Sequence, residues 1–491
     1  MHFRLIPKGR PGGLFPSARR GTAALLAGPA LALSALNFPP PPPTPSPAMP
    51  YSVAQRIGIG PGVQAQTFCA VVGDGDVRCW GDNTEGQAGY GNSAASGRAY
   101  IGDHETPGSQ GPVWFGGPAA LAVAVGDQHA CALLDDQRVR CWGTNQYGQL
   151  GVNSTTPVGQ TDTPASSHDV ELGFAFDVHG TVLTRREVHV TQIATGGGHS
   201  CAILENGKVA CWGDNSDGQL GYGNTTNVGD GIGPSPLKAG YVNLGSGRTA
   251  VAIAAGERHT CALLDNGTVL CWGDNSAGQL GLGNTDNIGD DETPNSVTPI
   301  DFGDLTVKAI SAGGDDTCVI LSDATLRCWG SGAYGKLGYG STGNYGDDQG
   351  ENPADEPAVS LGGDVAQVSA GNMHTCAVLT DGSSRCWGRD DFGDLGLYPS
   401  TLDSATSTPD SVDPIDLGGD TAVAIQAGGY NTCAVLQSGR VLCWGLGRYG
   451  ANGQASVAAD DLGDNETPGS VPPIKLGDTI RTLAEQIPGQ F

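Results

Sequence analysis

Cys201 to Gly221 reads CAILENGKVACWGDNSDGQLG: a strand, a tight turn, a second strand and a glycine-anchored bend. Taking Glu205-Asn206-Gly207 as a three-residue hairpin loop puts Gly207 in the left-handed position such loops favour. Counting outward pairs Leu204 with Lys208, Ile203 with Val209, Ala202 with Ala210 and Cys201 with Cys211. Two sulfurs so placed on adjacent antiparallel strands are within reach of a bridge. A two-residue Asn-Gly loop would offset them by one, so the register rests on the cysteines themselves.

The unit occurs seven times. Its cysteines are Cys69 and Cys79, Cys131 and Cys141, Cys201 and Cys211, Cys261 and Cys271, Cys318 and Cys328, Cys376 and Cys386, and Cys433 and Cys443. Partners are always ten apart, and the pairs account for all 14. Each second cysteine is followed by Trp-Gly, at Trp80, Trp142, Trp212, Trp272, Trp329, Trp387 and Trp444, and then by a Gly-x-x-Gly such as Gly218 to Gly221. First cysteines lie 57 to 70 residues apart, so one array fills most of the 491 residues and overrides the two or three domains that length alone suggests. Seventy-nine glycines and 31 prolines with few long apolar runs favour short strands and tight turns over helices.

Each unit carries four candidate strands. In the third they are Val190–Ile193, Ser200–Leu204, Lys208–Trp212 and Tyr241–Leu244, the last followed by Gly245. The expected fold is all-β: a seven-bladed β-propeller of four-stranded antiparallel blades, with one disulfide-linked hairpin per blade. Residues 478–483, DTIRTL, resemble the lead-in strand at 420–425, DTAVAI, while the first unit has Gln64 where the others have a glycine. The C-terminal strand is therefore expected to complete the first blade and latch the ring.

Fourteen cysteines in equally spaced pairs, with no odd member and no C-x-x-C knuckle, imply disulfides and an oxidising compartment, secreted or cell envelope. Residues 1–35 fit an export signal: Arg19 and Arg20 precede an apolar run, Ala23 to Leu33, with small residues at its end. That run is too short and proline-interrupted to be a membrane span. Residues 36–50, including PPPPPTPSPAMP from Pro39 to Pro50, form a proline-rich linker of polyproline II type, and the propeller takes 51–491. The first 48 residues hold five of the 25 Lys/Arg and none of the 51 Asp/Glu, so the remainder carries −31. Such a polyanion repels nucleic acid and anionic membranes.

The stretch VAIAAGERHTCALLDNGTVLCWGDNSAGQLGLGN, Val251 to Asn284, resembles the repeat of the regulator of chromosome condensation family: Gly, His, an apolar strand, a turn Gly, Trp-Gly and Gly-Gln-Leu-Gly. The resemblance covers about 51–485 and implies a seven-bladed propeller with a protein-binding face. Two cysteines per blade depart from the family pattern, as suits an exported version. The family includes a nuclear guanine-nucleotide exchange factor and secreted bacterial propellers that inhibit β-lactamases. No counterpart of the exchange factor's GTPase-contacting loops aligns here, so none of its functional residues carries over, and fold alone does not transfer activity.

Candidate chemistry is sparse. His129, His199, His259 and His374 stand two residues before a first cysteine, with Thr67, Asp316 and Asn431 in the other units. They lie on different blades, and each is expected to bond a loop backbone and hold one blade to the next rather than bind metal. Acidic segments such as Asp290-Asp291-Glu292 offer oxygen for calcium but lack the spacing of a known calcium loop. A sialidase box needs its glycine three residues before tryptophan, whereas Gly207 is five before Trp212. No catalytic residue and no cofactor are assigned.

One stretch breaks the period. From last-strand to next lead-in apolar residue takes 7–9 residues in most units but 21 between Leu172 and Ile193. The extra segment alternates from Phe174 and turns at His179-Gly180, as a protruding hairpin does, and carries the adjacent pair Arg185-Arg186. Phe174, Phe176, His179, Arg185 and Arg186 are the candidate partner-binding residues. The sequence thus predicts an exported, monomeric binding scaffold for a protein or surface polymer, with a calcium-binding or glycan-acting propeller as the alternative.

Overall fold

The computed structural model describes residues 53–62, 66–93, 99–179, 182–398, 406–455 and 461–481; the expected export signal (1–35) and linker (36–50) lie outside them. It is all-β, seven blades around a central channel. In blades 2 to 7 the inner strand is Ala120–Val125, Val190–Thr195, Ala250–Ala255, Val307–Ala312, Val365–Ala370 or Ala422–Ala427. The second strand, His199–Leu204 in blade 3, is buried at every position. Both of its sides face protein, which is why it reads HSCAIL rather than as an alternation of polar and apolar.

The predicted register holds in all seven blades. Cys201 lies opposite Cys211, Ala202 opposite Ala210 and Ile203 opposite Val209. In the other blades Cys69 faces Cys79, Cys131 faces Cys141, Cys261 faces Cys271 and Cys318 faces Cys328. Likewise Cys376 faces Cys386, and Cys433 faces Cys443. All seven pairs are bridged, as the spacing predicts, with Cα atoms 4.0–4.1 Å apart, the close approach of directly opposed antiparallel residues. Gly207 takes φ +72°, and Leu204 N–H donates to Lys208 O across the turn at 2.9 Å.

Two expectations change. Among the described residues blade 1 has four hydrogen-bonded strands, the fourth being Tyr100–Ile101, and blades 2 to 7 have three. The expected fourth strand is reduced to a single bridge in blade 4, Val269↔Ile300, and to isolated bonds such as Val242 N–H to Val209 O, while an unexpected segment makes bridges such as Gly213↔Val228. The latch also differs. Ile57–Ile59 supplies the inner strand of blade 1, pairing with Phe68–Ala70. Among the described residues the C-terminal chain takes the lead-in position of blade 1: Ile480 N–H donates to Gly439 O and Gly73 N–H to Thr479 O, as Ala422 N–H does to Gly382 O and Gln437 N–H to Thr421 O. Trp80 Nε1 donates to Ala451 O at 3.0 Å, tying blade 1 to blade 7.

The same tie repeats at every seam. Trp142, Trp212, Trp272, Trp329, Trp387 and Trp444 donate to the carbonyls of Gln87, Gln149, Gln219, Gln279, Lys336 and Asp394 of the preceding blade at 2.8–3.0 Å. These tryptophans are the core residues the repeat predicts, whereas Trp114, outside it, is 58% exposed.

Candidate interaction surfaces

The strands give the ring two unlike ends. Hairpin turns such as 205–208 crowd one end, the hairpin face. The glycine loops after the inner strands and the loops after Trp-Gly crowd the other, the loop face. Between them runs a channel of 790 Å³ walled by inner-strand residues including Ile57, Ile193, Ile253, Ile310 and Val368. Its glutamines are engaged in the walls: Gln192 binds both Ile253 N–H and O, and Gln367 does the same at Ile425.

On the hairpin face the period-breaking insertion forms the expected ribbon, Phe174–His179 against Val182–Glu187, with Phe176 opposite Arg185. The Arg185 guanidinium carbon sits 3.4 Å from the Phe174 ring centroid, a diagonal cross-strand pair. Phe174 is 38% exposed. Arg186 instead turns back to Glu205 of its own blade at 2.8 Å. Residues 180–181 and the side chains of Phe176 and His179 lie outside the described set.

The loop face carries aromatic residues that the sequence reading missed. Arg389 lies 5.1 Å from the Tyr430 ring, 5.5 Å from Phe392 and 5.6 Å from Tyr334, spanning blades 5 to 7. Tyr100 and Tyr449 meet at 5.0 Å where blade 7 joins blade 1. The signal was present: Tyr147, Tyr334, Phe392 and Tyr449 all stand just before the first glycine of Gly-x-x-Gly. Tyr334 and Tyr449 hold φ of +58° and +63°, unusual for residues with a Cβ, in loops where Gly332 and Gly447 replace an asparagine of the repeat.

The four histidines do hold neighbouring blades, through a hydroxyl rather than the expected loop backbone. His129 Nε2 meets Ser200 Oγ, and His199, His259 and His374 meet Thr260, Thr317 and Thr432, at 2.7–2.9 Å. Each hydroxyl proton is already given to a carbonyl, as Thr260 gives its own to Gln219 O at 2.9 Å. The histidines must therefore be donors at Nε2, and burial keeps them neutral, with Nδ1 bare among the described residues. Asp290, Asp291 and Glu292 bring carboxylate oxygens within 4.8 Å of one another, and Gly289 N–H donates to Glu292 at 3.2 Å.

Burial makes these groups pH-sensitive in opposite directions. It lowers His129 and His259 to about 4 and His199 and His374 to about 3. Their contribution is full above the unfolded value of about 6.5 and is lost as pH falls through the folded values. Burial raises Asp127 to about 7 and Asp394 to about 8, so their contribution is lost as pH rises through those values. The two sets oppose between about pH 4 and 6.5, and above that, with the unfolded histidines already neutral, stability is expected to fall between about 6.5 and 8. Urea melts in EDTA check this: Asp394→Gln should remove most of the alkaline fall, and an unchanged fall in that variant contradicts the assignment.

A ring of disulfide-stapled antiparallel blades, tied by tryptophan and histidine at its seams, defines a propeller with two unlike ends. An RCC1-like domain model matches residues 57–354 and 170–484, and the chain belongs to that family. Among curated relatives it is 29% identical to the Arabidopsis thaliana ultraviolet-B receptor UVR8 over 68% of this chain and 66% of that protein. It is 28% identical to the human E3 ubiquitin-protein ligase HERC2 over 69% of this chain but 6% of HERC2, so it spans only a fraction of that ligase. Among solved structures it superposes on yeast RCC1 (Prp20) bound to Kap60 with TM-score 0.61 at 20% identity, covering 82% of this chain and 83% of that one. Human WBSCR16 gives 0.56 at 19% identity, covering 78% and 91%. These structural likenesses concern fold alone.

Proposed function

We propose that the protein is an exported, monomeric binding scaffold without catalytic activity, which captures a protein or surface polymer through the ribbon at 174–187. Residues 1–35 would direct export and 36–50 would serve as spacer. The observation that carries the reading is the break in the repeat: a β-ribbon on the hairpin face bearing Phe174 with Arg185 stacked on it. Aromatic and arginine residues on a projecting element suit a binding hot spot. A family relative, yeast RCC1, has been solved with a protein, Kap60, bound to it. Seven buried disulfides support the extracytoplasmic setting.

The test excises the ribbon. Val188 N–H already bonds Gly173 O at 3.2 Å, so removing 174–187 and joining those ends leaves the blades intact. Crosslinking on the producing cells should capture a partner with the full chain and lose it with the deletion, while the melting temperature stays within a few degrees. Capture that survives the deletion overturns the assignment.

A further inference from the structure

The seven repeats align one another, so a site at which a repeat breaks its own chemistry stands out. In blades 3 and 4 the second residue of Gly-Gln-Leu-Gly is Gln219 or Gln279. Its Oε1 accepts the amide of Asp217 or Ala277 at 2.9 Å, and its Nε2 donates to Asp214 or Asp274 at 3.1 Å. Both ends of the amide are satisfied. Blade 5 places Lys336 there and also exchanges its histidine for Asp316, and the two form a buried pair at 2.8 Å.

Blade 6 makes the opposite exchange without a partner. Asp394 occupies the glutamine position, is 0% exposed, and neither carboxylate oxygen has a hydrogen-bond donor among the described residues. In the same loop the repeat's asparagine becomes Asp390. One of its oxygens accepts Leu395 N–H at 3.0 Å. The repeat's aspartate becomes Arg389, which turns away to Asp391 at 2.6 Å. Across the seam, blade 7 has Asn431 in place of histidine, also 0% exposed. Its Nδ2 donates to the carbonyls of Trp444 and Leu446 at 3.3 and 2.8 Å, while Oδ1 has no donor among the described residues. Nδ2 also lies 3.4 Å from Asn452 Oδ1, so the Asn431 side chain stays with its own blade, on the face opposite to Thr432, which is the residue that meets blade 6 through His374 and the Asp394 carbonyl.

We propose that the seam between blades 6 and 7 binds a hard divalent cation of the calcium class, anchored by the Asp394 carboxylate with the carboxylate of Asp390 beside it. Buried carboxylate oxygens without donors are costly unless a cation or a proton joins them. Carboxylates are the ligands calcium takes, with backbone carbonyls and water completing its shell. Burial and the neighbouring Asp390 charge raise Asp394 to about 8, so proton and cation compete for the same oxygens. The Asp290-Asp291-Glu292 cluster contains no buried, donorless oxygen and is not the site proposed.

The test is thermal melting of the purified full chain at pH 7.5 in EDTA, in magnesium chloride and in calcium chloride. Calcium should raise the melting temperature saturably and magnesium less. Asp394→Gln restores the residue of blades 3 and 4, so it should fold at least as stably in EDTA and lose the calcium response. Replacing Asp290, Asp291 and Glu292 by their amides should leave the response in place. A native chain indifferent to calcium, a response retained in Asp394→Gln, or one abolished by the 290–292 amides overturns the proposal.

Discussion

Reduction of all seven disulfides is expected to leave the chain unfolded, and to occur only after the blades have been opened. Every half-cystine is at most 2% exposed, and each second strand is covered on both sides, so a thiol reductant has no path to the sulfurs of the folded ring. Each bridge closes a loop of about eleven residues, for which the chain-entropy estimate is on the order of 3 kcal/mol. Seven such loops give on the order of 20 kcal/mol, against a typical net stability of about 5–15 kcal/mol. Alkylation and mass measurement should find no modified cysteine after dithiothreitol in buffer and 14 after dithiothreitol in guanidinium. The fully reduced chain, once denaturant is removed, should lack the native near-ultraviolet circular dichroism. A single blade without its bridge, as in Cys261→Ala with Cys271→Ala, should still fold and lose about 2–3 kcal/mol. Fourteen alkylated cysteines in a chain that keeps its fold would show that strand packing alone holds the ring.

What the sequence made legible is what repeats with a fixed period. Cysteines ten apart set the hairpin register, and Trp-Gly with Gly-x-x-Gly set the blade count. Seven copies of each local rule reinforce one another, so no single misreading could shift the whole. The outer strand was over-read because Ile300, Ile415 and Ile474 look like strand residues. Each makes a bond to its neighbour, as Ile415 N–H does to Ser384 O, but no ladder extends from it among the described residues. The latch was half read: residues 478–480 take the lead-in place they resemble, but the strand paired with Phe68–Ala70 is Ile57-Gly58-Ile59, too short to be recognised. The histidine seams were half legible: period two gave the direction, but the hydroxyl partner sits on the next blade, 58–71 residues away. Aromatic residues of the loop face went unread because they differ from blade to blade at a position the repeat leaves free. The insertion at 174–187 was legible for the opposite reason, since a break stands out once a period is known.

Lys336→Met is expected to destabilise the protein by about 3–5 kcal/mol, the usual cost of leaving one member of a buried ion pair alone. Lys336 is 2% exposed and Asp316 fully buried, with Nζ 2.8 Å from Oδ1; Nζ also donates to Asn372 O at 2.9 Å, across the seam into blade 6. Methionine keeps the length of the side chain and removes the charge, so packing changes little and the loss is electrostatic. Burial raises Asp316 to about 6 even with the ammonium opposing it, and without the lysine it rises further. The variant should therefore hold a neutral acid at pH 5 and be less stable, relative to the native chain, at pH 8. The repeat supplies its own rescue. In Lys336→Gln with Asp316→His, the histidine can donate to Thr375, whose hydroxyl proton already goes to the carbonyl of residue 336 at 2.9 Å, reproducing the seam His259 makes with Thr317. Urea melts at both pH values should place the double variant within about 1 kcal/mol of the native chain, far from the sum of its single changes, because residues in contact do not act additively. A Lys336→Met variant as stable as the native protein at pH 8 would mean that Asp316 carries no charge in the folded ring, and that blade 5 is held by packing alone.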